Sequence, residues 1–133
     1  MGKALLDANV LVAVYRPTDE LHKQAVRVVS ELKDKGYELV FTNLLIQETA
    51  TVLSMRVGMD LARKFLTDYH DIISEEIFID EDVEKLSWNI FLQQHKKGTS
   101  FVDCANLAVI EKYKLDGIVS FDTFYPKELR IGV

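Results

Sequence analysis

The chain holds a single cysteine, Cys104, so it cannot close an internal disulfide. That fits a reducing compartment, and the cytoplasm is the expected location. Two prolines and six glycines in 133 residues are too few for a linker or a low-complexity tail. No apolar run nears the length of a membrane span, so no membrane association is expected. The start does not read as a signal peptide, because Lys3 is the only early cation and Asp7 breaks the apolar run. Histidine is scarce, and His22, His70 and His95 stand at no metal-ligand spacing. Basic residues are outnumbered, 16 against 21 acids, for a net charge of −5. Phosphate-binding surfaces are ordinarily basic, so this balance weighs against nucleic acid unless bound cations reverse the local field.

What remains is an ordinary globular composition, 48% hydrophobic and 28% charged. The length predicts one domain, residues 1–133, large enough to bury a core without staples. Lys3 to Leu6 reads as a central parallel strand, since its apolar residues do not alternate with polar ones. Asp7 closes it, and a short helix can follow from Ala8 to Tyr15. Thr18 is placed to cap a second helix, with Leu21, Ala25, Val28, Val29 and Leu32 on one face and Gly36 ending it. Glu38 to Phe41 reads as the second strand. Thr42 or Asn43 can cap a third helix to about Arg56, with Leu44, Leu45, Val52 and Met55 on its apolar face. Glu48 lies three and four residues from three of these and so projects toward that face. A fourth helix runs from Asp60 to Tyr69, with Ala62, Phe65, Leu66 and Tyr69 as core contacts.

Glu76 to Ile79 is the third strand, Asp80 caps the next helix, and His95 to Gly98 is a basic loop. Ser100 or Thr99 opens a strongly apolar helix interrupted only by Asp103 and Asn106, whose i, i+3 spacing puts them on one side. Ile118 to Phe121 is the last strand, ended by Asp122. Strands alternating with helices predict an α/β fold of three layers around a mainly parallel sheet. Ligands in such sheets bind beyond the carboxyl ends of the strands. Asp7, Glu48, Asp103 and Asp122 can all reach that edge, and four carboxylates in one place call for a cation.

Each acid also has a plainer structural use. Asp7 can cap the helix that follows it. Ser100-Phe101-Val102-Asp103 fits a capping box. Glu48 can be a boundary residue whose head reaches water, and Asp122 can be a turn residue. Lys96 and Lys97 read as a solvated loop, and Cys104 as a small core filler.

Four segments, in order, carry a resemblance: Leu5-Leu6-Asp7-Ala8-Asn9, Thr42-Asn43-Leu44-Leu45-Ile46-Gln47-Glu48, Phe101-Val102-Asp103-Cys104-Ala105-Asn106-Leu107-Ala108, and Ile118-Val119-Ser120-Phe121-Asp122-Thr123-Phe124. Together they resemble the PIN-domain family of nucleases over nearly the whole chain, and the length is similar to that of stand-alone VapC-type toxins of toxin–antitoxin pairs. The resemblance implies a PIN-like fold and a metal-dependent endoribonuclease using Mg²⁺ or Mn²⁺. It assigns the metal and the catalysis to Asp7, Glu48, Asp103 and Asp122. Asp7 and Asp103 would be the main ligands. Glu48 would hold a water on the metal or ligate directly, and Asp122 would complete a weaker second position. Asn9 and Ser120 would orient these groups from behind. The implied partners are an RNA substrate, a small antitoxin and a second copy of the chain in a homodimer. Other readings are a nuclease of this fold acting on structured RNA or DNA, a binding module without turnover, and a phosphatase with a nucleophilic Asp7. The last would want a second carboxylate where Asn9 stands.

Overall fold

The computed structural model describes residues 2–133. In chain order these form β1 (Lys3–Leu6), α1 (Ala8–Tyr15), α2 (His22–Asp34), β2 (Glu38–Thr42), α3 (Asn43–Arg56), α4 (Met59–Asp68), β3 (Glu75–Ile77), α5 (Glu81–Leu92), α6 (Phe101–Tyr113) and β4 (Gly117–Val119). The strands make one parallel sheet in the order β3-β2-β1-β4. The central pair is buried on both faces: Ala4, Leu5, Leu6, Leu39, Val40 and Phe41 have no exposed surface. The connections from β1 to β2 to β3 run through α1–α4 and the return to β4 runs through α5 and α6, so the right-handed rule for parallel crossovers puts the two groups on opposite faces. The packing agrees, since α1 contacts α2 and α3, α3 contacts α4, and α5 contacts α6. The result is the expected three-layer α/β/α fold.

The local departures have local causes. The second helix begins at His22 rather than near Thr18. Asp19 Oδ1 accepts from the Leu21 amide (2.9 Å), and this side-chain turn competes with helix there and leaves Leu21 38% exposed. On α3 the buried stripe is Leu45, Thr49 and Leu53, not one that includes Met55, which is 81% exposed. Thr49 can join this stripe because its hydroxyl donates to the Leu45 carbonyl (2.7 Å). Two residues past Leu53, Met55 lies about 200° round the helix. Leu66, next to the buried Phe65 on α4, is half-exposed. Thr42 and Asp80 cap as expected, accepting from Leu45 N (3.2 Å) and Val83 N (3.0 Å).

Strand β4 stops at Val119, short of the expected Phe121. Ser120 Oγ accepts from the Asp122 amide (3.0 Å), a turn that lifts residues 120–122 off the sheet. The C-terminal tail fixes this loop. At Gly117 a Cβ would stand 2.1 Å from the Leu129 carbonyl oxygen, so only glycine admits the tail at that distance. Ile131 N then donates to Ile118 O (3.0 Å). Arg130 donates through Nε to Tyr125 O (2.7 Å) and through Nη2 to Thr123 O (3.3 Å). Among the described residues no helix is long and apolar enough to cross a membrane.

Candidate functional site

In a parallel sheet every strand ends at the same edge, and the chain leaves each strand there. Asp7 follows β1 directly, the Ser120–Asp122 turn follows β4, and Glu48 sits in the second turn of α3 after β2. Asp103 is in the first turn of α6, which runs back against the strands and so starts at their carboxyl ends. Asp7, Glu48, Asp103 and Asp122 line one open cavity of about 340 Å³, together with Asn9. Asp19 and Arg56 also line it. Asp19 comes from the turn that precedes α2, and Arg56 from the last turn of α3.

Asp7 and Ser120 form the floor. Asp7 is 5% exposed, and its Oδ1 accepts from Ala8 N (2.9 Å), so it does cap α1. Its Oδ2 accepts from Ser120 Oγ (2.7 Å). The same hydroxyl accepts from Asn9 Nδ2 (3.2 Å), and Asn9 Oδ1 accepts from Phe121 N (3.2 Å). Asn9 and Ser120 thus tie the ends of β1 and β4 together and hold the Asp7 carboxylate from behind. Asp122 Oδ1 accepts from Phe124 N (2.9 Å), so Asp122 is both a turn residue and part of the cavity wall.

Asp103 is held by a residue the sequence did not flag. Ser100 Oγ accepts from Asp103 N (3.1 Å), which is half of the expected capping box. The Asp103 carboxylate turns the other way, and its Oδ1 accepts from the Tyr125 hydroxyl (3.1 Å). Tyr125 is fully buried and itself accepts from Asn106 Nδ2 (2.9 Å). The phenol has one proton, and giving it to Asp103 fixes which end of the Asn106 amide faces the ring. Asn106 Oδ1 is then the one buried side-chain polar atom without a partner among the described residues. The Asp103–Asn106 spacing marked a polar side of α6, but Tyr125, between Phe124 and Pro126, reads as one more apolar contact.

Among the described residues none of the cavity's carboxylates is ion-paired. Burial pushes the Asp7 carboxyl up to about 6. The bonds from Ser120 and Ala8 pull it down, and the charges of Asp103 and Asp122 push it up again. Glu48 is more exposed than its spacing suggested, at the cavity mouth, and its pKa is still raised, first by desolvation and then by Asp7 and Asp103. The Tyr125 hydroxyl is also pushed well up, by burial first and then by Asp7 and Asp103, which keeps it a donor.

An all-oxygen donor set suits a hard divalent cation. Among the described residues no three His, Cys, Asp or Glu side chains converge closely enough to enclose an ion by themselves. That geometry still fits Mg²⁺, which typically takes one or two carboxylates and keeps several waters.

The PIN domain profile matches residues 4–127 of the sequence. The crystal structure of Mycobacterium tuberculosis VapC20, a sarcin–ricin loop cleaving toxin, superposes with a TM-score of 0.83 at 20% identity, covering 98% of each chain. At that identity the likeness is one of fold. No curated protein sequence matches the chain.

Proposed function

This chain belongs to the PIN domain family, and from that premise we propose that it is a metal-dependent endoribonuclease of the VapC-like kind, one nuclease domain over residues 1–133. One observation carries the reading. Unpaired carboxylates line a single cavity, and two of them, Asp7 and Asp103, are each oriented by a hydroxyl donor. A fold that gained nothing from such a cluster would be more stable without it.

When bound, Mg²⁺ or Mn²⁺ supplies Lewis acidity toward water and the phosphodiester. Asp7 and Asp103 are the groups to hold it, because their orientation is fixed before binding. Tyr125 occupies Oδ1 of Asp103 and leaves Oδ2 to the cavity, whereas both oxygens of Asp7 take one bond, from Ala8 N and Ser120 Oγ, and each keeps a lone pair for a cation. Glu48, at the mouth with a raised pKa, is suited to hold the attacking water and accept its proton. Asp122, on its turn beside Asp103, takes hydrogen bonds from further waters or completes a second cation position. Water adds to phosphorus and the bond to the 3′ oxygen breaks, which leaves 5′-phosphate and 3′-hydroxyl ends.

The fold shared with a stand-alone toxin supports the rest of the proposal: a small antitoxin as inhibitor, a homodimer, and action in the cytoplasm. The test is cleavage of end-labelled RNAs in Mn²⁺, in Mg²⁺ and in chelator, with Asp7→Asn alongside. Metal-dependent 5′-phosphate ends, absent in the variant, are expected. Failure to bind Mn²⁺ in a calorimetric titration would remove the proposal's basis.

A further inference from the structure

A second, smaller cavity of about 90 Å³ adjoins the acidic one, with the Lys96–Thr99 loop on one side and Asp103, Asp122 and Phe124 on the other. Asp103 and Asp122 line both cavities, so a molecule lying across the acids reaches the lysine loop without leaving the surface. Its volume leaves room for a phosphate group.

Lysines that share a cavity with two carboxylates would ordinarily close onto them. Among the described residues neither Lys96 nor Lys97 is ion-paired with Asp103 or Asp122. The loop is shaped without those lysines' charges. Thr99 Oγ1 donates to the Lys96 carbonyl (3.1 Å), and Gly98 takes a φ of 93° that other residues rarely adopt. Nothing lies within 4 Å of where a Cβ on Gly98 would stand, so the tip is open to an incoming group.

We propose that the Lys96–Thr99 loop is a second phosphate site, holding the phosphodiester next to the scissile one as an RNA strand passes from the acidic cavity over Asp103 and Asp122. The proposal rests on the ribonuclease reading and deepens it. It makes the substrate an oligonucleotide with a phosphate beyond the cleaved bond, and it adds cationic attraction beside the acids of a chain of net charge −5. Arg56, exposed, also lines the acidic cavity but not the smaller one.

The test compares wild type, Lys96→Gln/Lys97→Gln and Lys96→Arg/Lys97→Arg in Mn²⁺ across a salt series. The substrates are short RNAs with one and with two phosphodiesters, and Mn²⁺ affinity is measured by calorimetry. In the Gln variant kcat/KM falls through KM, and the slope of log(kcat/KM) against log salt becomes shallower by about 0.7 per lysine removed. The Arg variant restores it, Mn²⁺ affinity holds, and wild type prefers the longer RNA while the Gln variant does not. An unchanged salt slope overturns the proposal. So does tighter Mn²⁺ binding with faster cleavage in the Gln variant, which would make the lysines ion-pair partners of the acids. If wild type neither binds nor cleaves any RNA, the ribonuclease reading falls and the phosphate site with it.

Discussion

Both ends of the same sheet gather carboxylates, and the fold treats them oppositely. At the amino end Lys3 Nζ lies 2.8 Å from Glu75 and 3.7 Å from Glu38, and the Lys3 amide donates to Asp116 (2.7 Å). These groups are exposed, and Glu38 and Glu75 share a cation. At the carboxyl end Asp7 is buried, and it and Asp103 meet hydroxyls instead of cations. A hydroxyl fixes the direction of a carboxylate without cancelling its charge. The amino end shares a cation between two of its carboxylates, and the carboxyl end leaves its carboxylates without one.

The largest expected effect tests that contrast directly. Asp7→Asn lowers cleavage by more than about 100-fold, beyond the range typical of outer-shell changes. It also stabilises the metal-free protein. A carboxyl pushed up to about 6 binds its proton more tightly folded than unfolded. Wild type in chelator therefore loses about 2 kcal/mol as pH rises through the window from about 4 to 6. Denaturant titrations at both ends of that window should show the loss in wild type and its absence in Asp7→Asn. Added Mn²⁺ at neutral pH should raise the melting temperature of wild type only.

Tyr125→Phe comes next. It strips Asp103 of its donor and leaves Asn106 Nδ2 without an acceptor, costing about 1–3 kcal/mol of stability and about 10- to 100-fold in Mn²⁺ affinity. Adding Asn106→Leu removes the other stranded partner. Stability should then recover while metal affinity does not, which separates packing from orientation; recovery of both would mean that Tyr125 only fills space.

Ser120→Ala is milder. It removes the donor that pulls the Asp7 carboxyl down, so the acid limb of the cleavage–pH profile should move to higher pH. The smallest effect belongs to the other end of the sheet. Lys3→Met breaks exposed pairs only, and Mn²⁺ affinity and cleavage should stay at wild-type values. A loss there would erase the contrast between the two ends.

Much of this was legible in the chain. Leu5-Leu6-Asp7 announces a buried strand closed by an acid, because a run apolar on every residue suits only a strand covered on both faces. The caps at Thr42 and Asp80 could be read because they depend on a side chain three residues from its amide. Helix faces were less secure. Thr49 joined the core through its own back-bond, and Met55 was left outside. The start of α2 moved to His22 because a turn at Asp19, invisible to periodicity, claimed the residues before it.

The sequence by itself determined the alternation of elements and the parallel sheet, since local spacing and burial pattern are short-range properties, and it offered the four acids that line one cavity. Only the tertiary structure decided how those acids are held. Ser120 is 113 residues from Asp7, and Tyr125 is 22 from Asp103. The same long-range packing brought Asp19, Arg56 and the Lys96–Lys97 loop to one sheet edge. A hydrogen bond depends on distance and angle in space, and a chain declares neither until its strands have paired.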